Sequence, residues 1–344
     1  MPIGDIKAAA KRKAKEKVVS TAARKVTGGG GRGSGSSGGR GRNSTSKRKS
    51  PVLIIVLVLL VAGAAFAAWH FGFLDGILGQ DQDTPTVIAV DGNMVIHFID
   101  VGQADAFFIV TEGGTMLTDA GSRSSGPRVV EYLQNMGVTF IDYVVATHPH
   151  EDHIGGMDLV LNAFQVGTVL LPDVSHTTRT YERMIEAIET HNITTYAPQA
   201  GHEFEMGGAI FTVLHPTGDD YRNLNDWSLS MRIAFGSISM VTTGDAEHIG
   251  EGAMLNTGLY LGADVLRLGH HGSRTSTGQE FFDAVSPSIA VIQVGEGNRY
   301  GHPHECVMER LEATNTRIYR NDLHGNIILT TDGTSIDIQT ERAG

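Results

Sequence analysis

The chain has 344 residues, 41% of them hydrophobic, a formal net charge of −11 and one cysteine, Cys306. A lone cysteine excludes an intrachain disulfide framework, while this length and apolar content suffice for one large domain, or two small ones, with a core of its own. The charge is divided: residues 1–50 carry 14 of the 27 Lys and Arg against only Asp5 and Glu16, and beyond Lys49 there is no lysine, leaving 13 Arg to face 36 Asp and Glu. An unpaired Cys usually behaves as a small apolar side chain, so Cys306 is expected to be buried.

In chain order, residues 1–27 set basic side chains such as Lys7, Lys11, Arg12 and Lys13 among alanines, and residues 28–41 turn to Gly, Ser and Arg, which cannot bury enough apolar surface to fold. Residues 1–50 therefore read as a disordered basic cytoplasmic tail. Residues 51–74 contain no Asp, Glu, Lys or Arg, and a helix of about 20 such residues crosses a hydrocarbon core. Trp69, Phe71 and Phe73 at its far end suit an interfacial belt. The basic flank before it and Asp75, Asp81 and Asp83 after it put the N-terminus in the cytoplasm and the remainder outside a cell membrane crossed once. Ala65-Phe66-Ala67 offers a cleavable-signal alternative, against which stands the long segment before it. Residues 75–92 read as a linker.

Over 93–344 the pattern is strands alternating with helices. Strands are expected at 95–99, 106–110, 115–118, 141–146, 168–171, 209–214, 229–235, 238–242, 264–268, 289–293, 317–319 and 326–329. Helices are expected at 128–136, 179–189, 279–284 and 304–312, and Gly236-Ser237 reads as a hairpin turn. Strands separated by helices imply a layered α/β domain.

The densest chemistry lies in Thr147-His148-Pro149-His150-Glu151-Asp152-His153-Ile154. Pro149 fixes its own φ and turns His148 away from helix, so a rigid loop at a strand end, entering a helix near Ile154, is expected. His148 and His150, two apart, can turn toward one point, and Asp152 and His153 toward a second. Three His and one Asp at this spacing are rarely found without a metal. Asp119 and Asp245 each follow an expected strand, and His270-His271-Gly272-Ser273 follows another. Each alone suits a turn or cap residue.

In this order, these motifs resemble the metallo-β-lactamase superfamily, and within it the extracellular hydrolase domain of ComEC-type DNA-uptake proteins. The resemblance spans about residues 93–333. It also rests on His97-Phe98-Ile99-Asp100-Val101-Gly102-Gln103-Ala104-Asp105, Asp119-Ala120-Gly121, Asn225 with Ser228, Gly244-Asp245-Ala246-Glu247 and Tyr300-Gly301-His302-Pro303. It implies an αββα sandwich holding two divalent metals, for which the donor set suits Zn2+, with Mn2+ or Fe as alternatives. By resemblance, His148 and His150 bind one metal and Asp152 and His153 the other. Asp245 bridges them, and His270 or His271 completes the second site. Asp119 orients ligands. Such a pair, about 3.5–4 Å apart, would hold a hydroxide between them as nucleophile, steered by Asp152. Asn225, Ser228, Ser273, Arg274 and His302 are candidates for supporting the site or contacting substrate. His215 is the one candidate for a third histidine on the first metal. The remaining histidines, among them His70, His248 and His304, read as ordinary core or surface residues.

The implied function is a membrane-anchored phosphodiesterase, with DNA as a candidate substrate in the manner of a competence nuclease. The acidic balance would repel a polyanion unless Arg side chains gather on one face. That keeps open a phosphodiesterase or esterase for small substrates such as choline-phosphate or wall-polymer groups. A non-catalytic metal-binding scaffold is a third reading, and lipid or nucleic acid binding by the basic tail a fourth. A single apolar run excludes a DNA pore made by this chain alone.

Overall fold

The computed structural model describes residues 92–344; the expected tail, membrane span and nearly all of the linker, with His70, lie outside the described residues. Among the described residues, no helix is long and apolar enough to cross a membrane.

Fifteen strands form two sheets among these residues. The first has eight: β1 (Met94–Phe98), β2 (Phe107–Thr111), β3 (Gly114–Thr118), β4 (Phe140–Val145), β5 (Gln165–Leu170), β6 (Thr194–Tyr196), β14 (Ile327–Thr331) and β15 (Ile336–Thr340), in the order β15-β14-β1-β2-β3-β4-β5-β6. The second has seven: β7 (Glu203–Met206), β8 (Ala209–His215), β9 (Ser230–Phe235), β10 (Ile238–Thr242), β11 (Val265–Arg267), β12 (Ile289–Ile292) and β13 (Arg317–Arg320), in the order β13-β12-β11-β10-β9-β8-β7. Pairing from β3 to β6 and from β10 to β13 is parallel. The Gly236-Ser237 hairpin forms as expected, Phe235 facing Ile238 across it.

Side-chain alternation along the strands sorts residues into layers. Phe107 and Ile109 of β2 enter the core between the sheets, with Phe211, Met231, Met240, Ile289 and Val291 from the other side. Phe108 and Val110 point outward, under α1 (Gly126–Asn135), α3 (Met157–Ala163) and α4 (Arg179–Thr190). Val241, Leu266, Ala290 and Ile292 of the second sheet face a third cluster with α5 (His248–Leu255), α6 (Gln279–Val285) and α7 (Glu305–Ala313). The result is helices, sheet, sheet, helices: the expected αββα sandwich.

Several details differ from expectation. The helix after the histidine loop, α2, spans Glu151–Ile154 rather than beginning near Ile154, so Asp152 and His153 already lie on it. The edge strands β6, β7 and β15 are additional, and so are α3, α5 and the short α8 (Asn321–His324). Cys306 is exposed, not buried: α7 turns Val307 and Leu311, four apart, into the core, and Cys306 falls off that face.

Candidate metal centre

Parallel strands put their C-terminal ends, and the loops that follow, on one edge of a sheet, and here both sheets bring such ends to one place. From the first sheet come Asp119 after β3 and the His148–His153 segment after β4. From the second come Asp245 after β10 and the His270-His271 turn after β11. Gly155 and Gly156 let the histidine segment seat against the Asp119 turn, because a Cβ at Gly156 would collide with the Ala120 carbonyl. Asp119, His270 and His271 hold φ of 56°, 50° and 55°, left-handed backbone that non-glycine residues adopt at a cost and retain where the surroundings over-determine it.

The side chains converge. His148 Nε2 lies 2.9 Å from His150 Nδ1 and 3.9 Å from Asp245 Oδ2. His153 Nε2 is 3.1 Å from Asp245 Oδ2, and His271 Nε2 is 3.4 Å from Asp152 Oδ2 and 3.9 Å from Asp245 Oδ2. One donor atom from each of Asp152, His153, Asp245 and His271 lies within 4.8 Å of the others. His271, not its neighbour His270, is therefore the member of the pair in this group. His270 turns Nε2 to 3.7 Å from Asp245 Oδ2 and Nδ1 to 3.3 Å from Glu247.

A second ring of residues holds these side chains in place. Asp119 Oδ1 accepts from the Thr147 backbone N–H (2.9 Å), and Oδ2 accepts from the Thr147 hydroxyl (2.7 Å) and contacts His153 Nδ1 at 2.8 Å. Ser228 Oγ accepts from the Asp245 backbone N–H at 2.9 Å and lies 3.3 Å from His148 Nδ1, so this fully buried hydroxyl positions the site rather than meeting solvent. His271 Nδ1 donates to the Gln293 carbonyl at 2.9 Å. Beneath them the Arg267 guanidinium meets Asp105, which also stands 3.2 Å from His271 Nδ1 and 3.6 Å from His153 Nδ1.

Electrostatics follow from this crowding. Burial disfavours charge on Asp245 and Asp152, but the histidines around them, His153 first, outweigh it and hold both carboxyls well below their usual range. His153 is also penalised by burial, yet Asp245 and Asp119 raise it well above an ordinary histidine. His148 is pushed well below by burial and by His153. Burial lowers Arg267 to about 9.

A model of the metallo-beta-lactamase superfamily matches residues 99–296. The chain belongs to that superfamily. It is 31% identical over 250 residues to ComE operon protein 3 of Bacillus subtilis, covering 67% of this chain and 32% of that protein. It is 32% identical over 253 residues to Recombination protein 2 of Haemophilus influenzae, covering 72% of this chain and 30% of that protein. The competence-type resemblance read in the sequence is thus borne out, over about a third of those relatives' length. Among solved structures it is similar to the metallo-beta-lactamase fold protein YhfI from Bacillus subtilis, at 13% identity and a TM-score of 0.46, covering 70% of this chain and 99% of that one.

The donor set of this metallo-beta-lactamase domain fits divalent metal. His153 Nε2, His271 Nε2 and Asp245 Oδ1 are buried and make no hydrogen bond of good geometry among the described residues. Buried polar atoms are ordinarily satisfied, and unpaired ones on three members of a single donor cluster mark a place for a cation. An open cavity of about 280 Å3 lies above them, reached by His150, Asp152, Asn225, His270 and His302.

Other expected residues fall elsewhere. His215 is fully buried, its Nε2 donates to the Asp226 carbonyl at 2.7 Å, and it is not among the residues closing on Asp245. Ser273 is buried with its Oγ 3.0 Å from the Thr275 hydroxyl, and does not line the cavity. Asp105, Glu247 and Arg267 had no assigned role in the sequence. Asp105 and Glu247 stood within recognised motifs, but only their neighbours in space reveal what they do. Arg267, an arginine inside an apolar strand, was the readable signal: such a charge is buried only with a partner. His304, read as ordinary, accepts from the Arg274 backbone N–H at 3.0 Å and packs edge-on against His302.

Proposed function

We propose that this domain is a dinuclear-metal hydrolase acting on phosphodiesters, nucleic acid among them. The observation that carries the reading is the group of Asp152, His153, Asp245 and His271 donors within 4.8 Å, three of them buried and Asp152 open to the cavity above. In this reading His148 and His150 with Asp245 hold one cation, and Asp152, His153 and His271 with Asp245 hold the other, Zn2+ or Mn2+ by donor type. Bound cations supply Lewis acidity toward a phosphoryl oxygen and an activated water at neutral pH.

The chain's own residues do the rest. Asp152 is partly exposed to the cavity and kept charged, so it can accept a proton-bearing oxygen's hydrogen bond and aim it. His302 faces the same cavity with its imidazole lowered to about 4, by burial first and then by His271 and His270, and so is neutral at pH 7 and able to donate or accept one hydrogen bond. Asn225 donates Nδ2 to Glu247 at 3.0 Å and lines the opening. In the same reading, residues 51–74 anchor the domain at the outer face of a cell membrane.

The test is hydrolysis of bis-p-nitrophenyl phosphate and of single- and double-stranded DNA by the metal-loaded full-length chain, beside Asp245→Ala and His150→Ala. Turnover that disappears in both variants is expected. Bound metal with turnover of no diester would replace this reading with a scaffold.

A further inference from the structure

The loop after β12 carries an aromatic ladder from the surface into the site. Tyr300, 51% exposed, stacks on His302 with ring centroids 5.6 Å apart and planes 24° apart. His302 stacks in turn on His271 at 6.3 Å and 25°. These spacings lie within the range of attractive offset stacking. Tyr300 and His302 line the same cavity as Asp152 and Asp245.

The ladder is held before any ligand arrives. Asn298 Oδ1 accepts from the backbone N–H groups of Tyr300 (3.2 Å) and His302 (3.0 Å), and its Nδ2 donates to the carbonyls of Gly295 (3.0 Å) and His302 (2.7 Å). Gln103 ties the loop to the first sheet by accepting from Gly295 N–H at 3.1 Å. Asn298 thus fixes the backbone that carries Tyr300 and His302, so the loop has little conformational freedom left to lose on binding. Beside the Tyr300 ring stands the exposed Arg299, whose guanidinium lies 5.0 Å from the ring centroid and donates to the Tyr300 hydroxyl at 2.9 Å, both contacts open to solvent. A solvated cation on a ring is held more weakly than a stacked nucleobase, so a base can displace it.

We propose that Tyr300, backed by His302, is a stacking platform for an unpaired nucleobase next to the phosphodiester in the metal centre, which makes the substrate class single-stranded nucleic acid. This rests on the phosphodiesterase reading and deepens it. It also suits the charge balance: with 13 Arg against 36 acidic residues beyond the basic tail, base stacking supplies affinity that does not depend on phosphate contacts. A base paired in a duplex offers no free face, so double-stranded DNA is the poorer ligand.

The experiment is equilibrium binding of a labelled phosphorothioate oligothymidylate to the full-length chain and to its Tyr300→Ala, Tyr300→Phe and Tyr300→Trp variants. A base-free deoxyribose phosphate oligomer of equal length is measured in parallel. Tyr300→Ala is expected to weaken oligothymidylate binding about tenfold, with Phe and Trp retaining it and the base-free oligomer bound weakly and equally by all four. Unchanged oligothymidylate binding in Tyr300→Ala, or equal losses for both oligomers, overturns the platform. Because binding is read without turnover, its failure is separable from a failure of the hydrolase reading, which would appear as a wild-type chain that cleaves no diester.

Discussion

The floor and the rim of the metal centre are built differently. The floor consists of Asp105, Asp119, His153, Asp245, Arg267 and His271, each at most 2% exposed and each tied to at least one other charged or polar group of the site. The rim consists of His270, Tyr300 and His302, which face the cavity and hold their places through loops. A buried charge without its partner is costly, whereas a rim side chain can return to water. Changes to the floor should therefore strike metal binding and folding together, and changes to the rim should strike substrate alone.

The largest effect expected is at the group shared by both halves of the donor set. Asp245→Ala should abolish stoichiometric metal uptake measured by calorimetry and lower turnover by more than about a hundredfold, since even residues that only support ligands are worth about 10–100-fold. Next comes the ion pair beneath it. Arg267→Met leaves the buried Asp105 carboxylate without its guanidinium partner, at a cost of about 3–5 kcal/mol, and should lower the melting temperature by about 10 °C. Asp105→Asn combined with Arg267→Met should recover part of that loss; a double variant no more stable than the single would show that the pair is not what the floor depends on.

Asp119→Asn is milder, because it keeps an acceptor for Thr147 but loses the negative charge beside His153. Metal affinity should fall about 10–100-fold, and the melting temperature should fall too, by less than for Arg267→Met. His153 also gives a pH dependence with a definite sign. Its folded pKa is raised by Asp245 and Asp119 against the cost of burial. The stabilisation from that pairing is fully present below the ordinary value of about 6.5 and is lost as pH rises through the raised value. In the same window the metal must displace this proton, so apparent affinity should climb with pH and uptake should release protons, measurable by titration calorimetry in buffers of different ionisation heat. The smallest effect is on the rim: Tyr300→Ala, at a residue 51% exposed, should alter KM for a diester while leaving the melting temperature within about 2 °C, as other surface changes do. A large stability loss there would erase the distinction between the two regions.

The legibility of the site divides along a related line. The donors on the first sheet could be read as a unit, because His148, His150, Asp152 and His153 occupy six consecutive positions around a strand end. Asp245 and the His270-His271 pair were readable only as strand-end residues whose meaning came from their order. Nothing in spacing could choose between His270 and His271, since two adjacent left-handed residues, an arrangement local propensity disfavours, send their side chains apart. The interior strands were legible for the same reason the cores exist: runs such as Phe107–Thr111 and Ile289–Ile292 are apolar on both faces. The edge strands β7 and β15 carry a fainter signal, Glu203-Phe204-Glu205-Met206 and Ile336-Asp337-Ile338-Gln339-Thr340 alternating apolar and polar residues over only four or five positions as half-exposed strands do.

By itself the sequence determined the layered α/β architecture, the metal-ligating segment after β4 and the superfamily, because periodic apolar residues and closely spaced donors are local properties of the chain. Only the tertiary structure decided that His271 joins Asp152, His153 and Asp245, that His215 does not, and that Arg267 and Asp105 lie together under the site. Those outcomes depend on how the two sheets place residues more than a hundred positions apart within hydrogen-bonding reach, and no spacing along the chain encodes a distance across it.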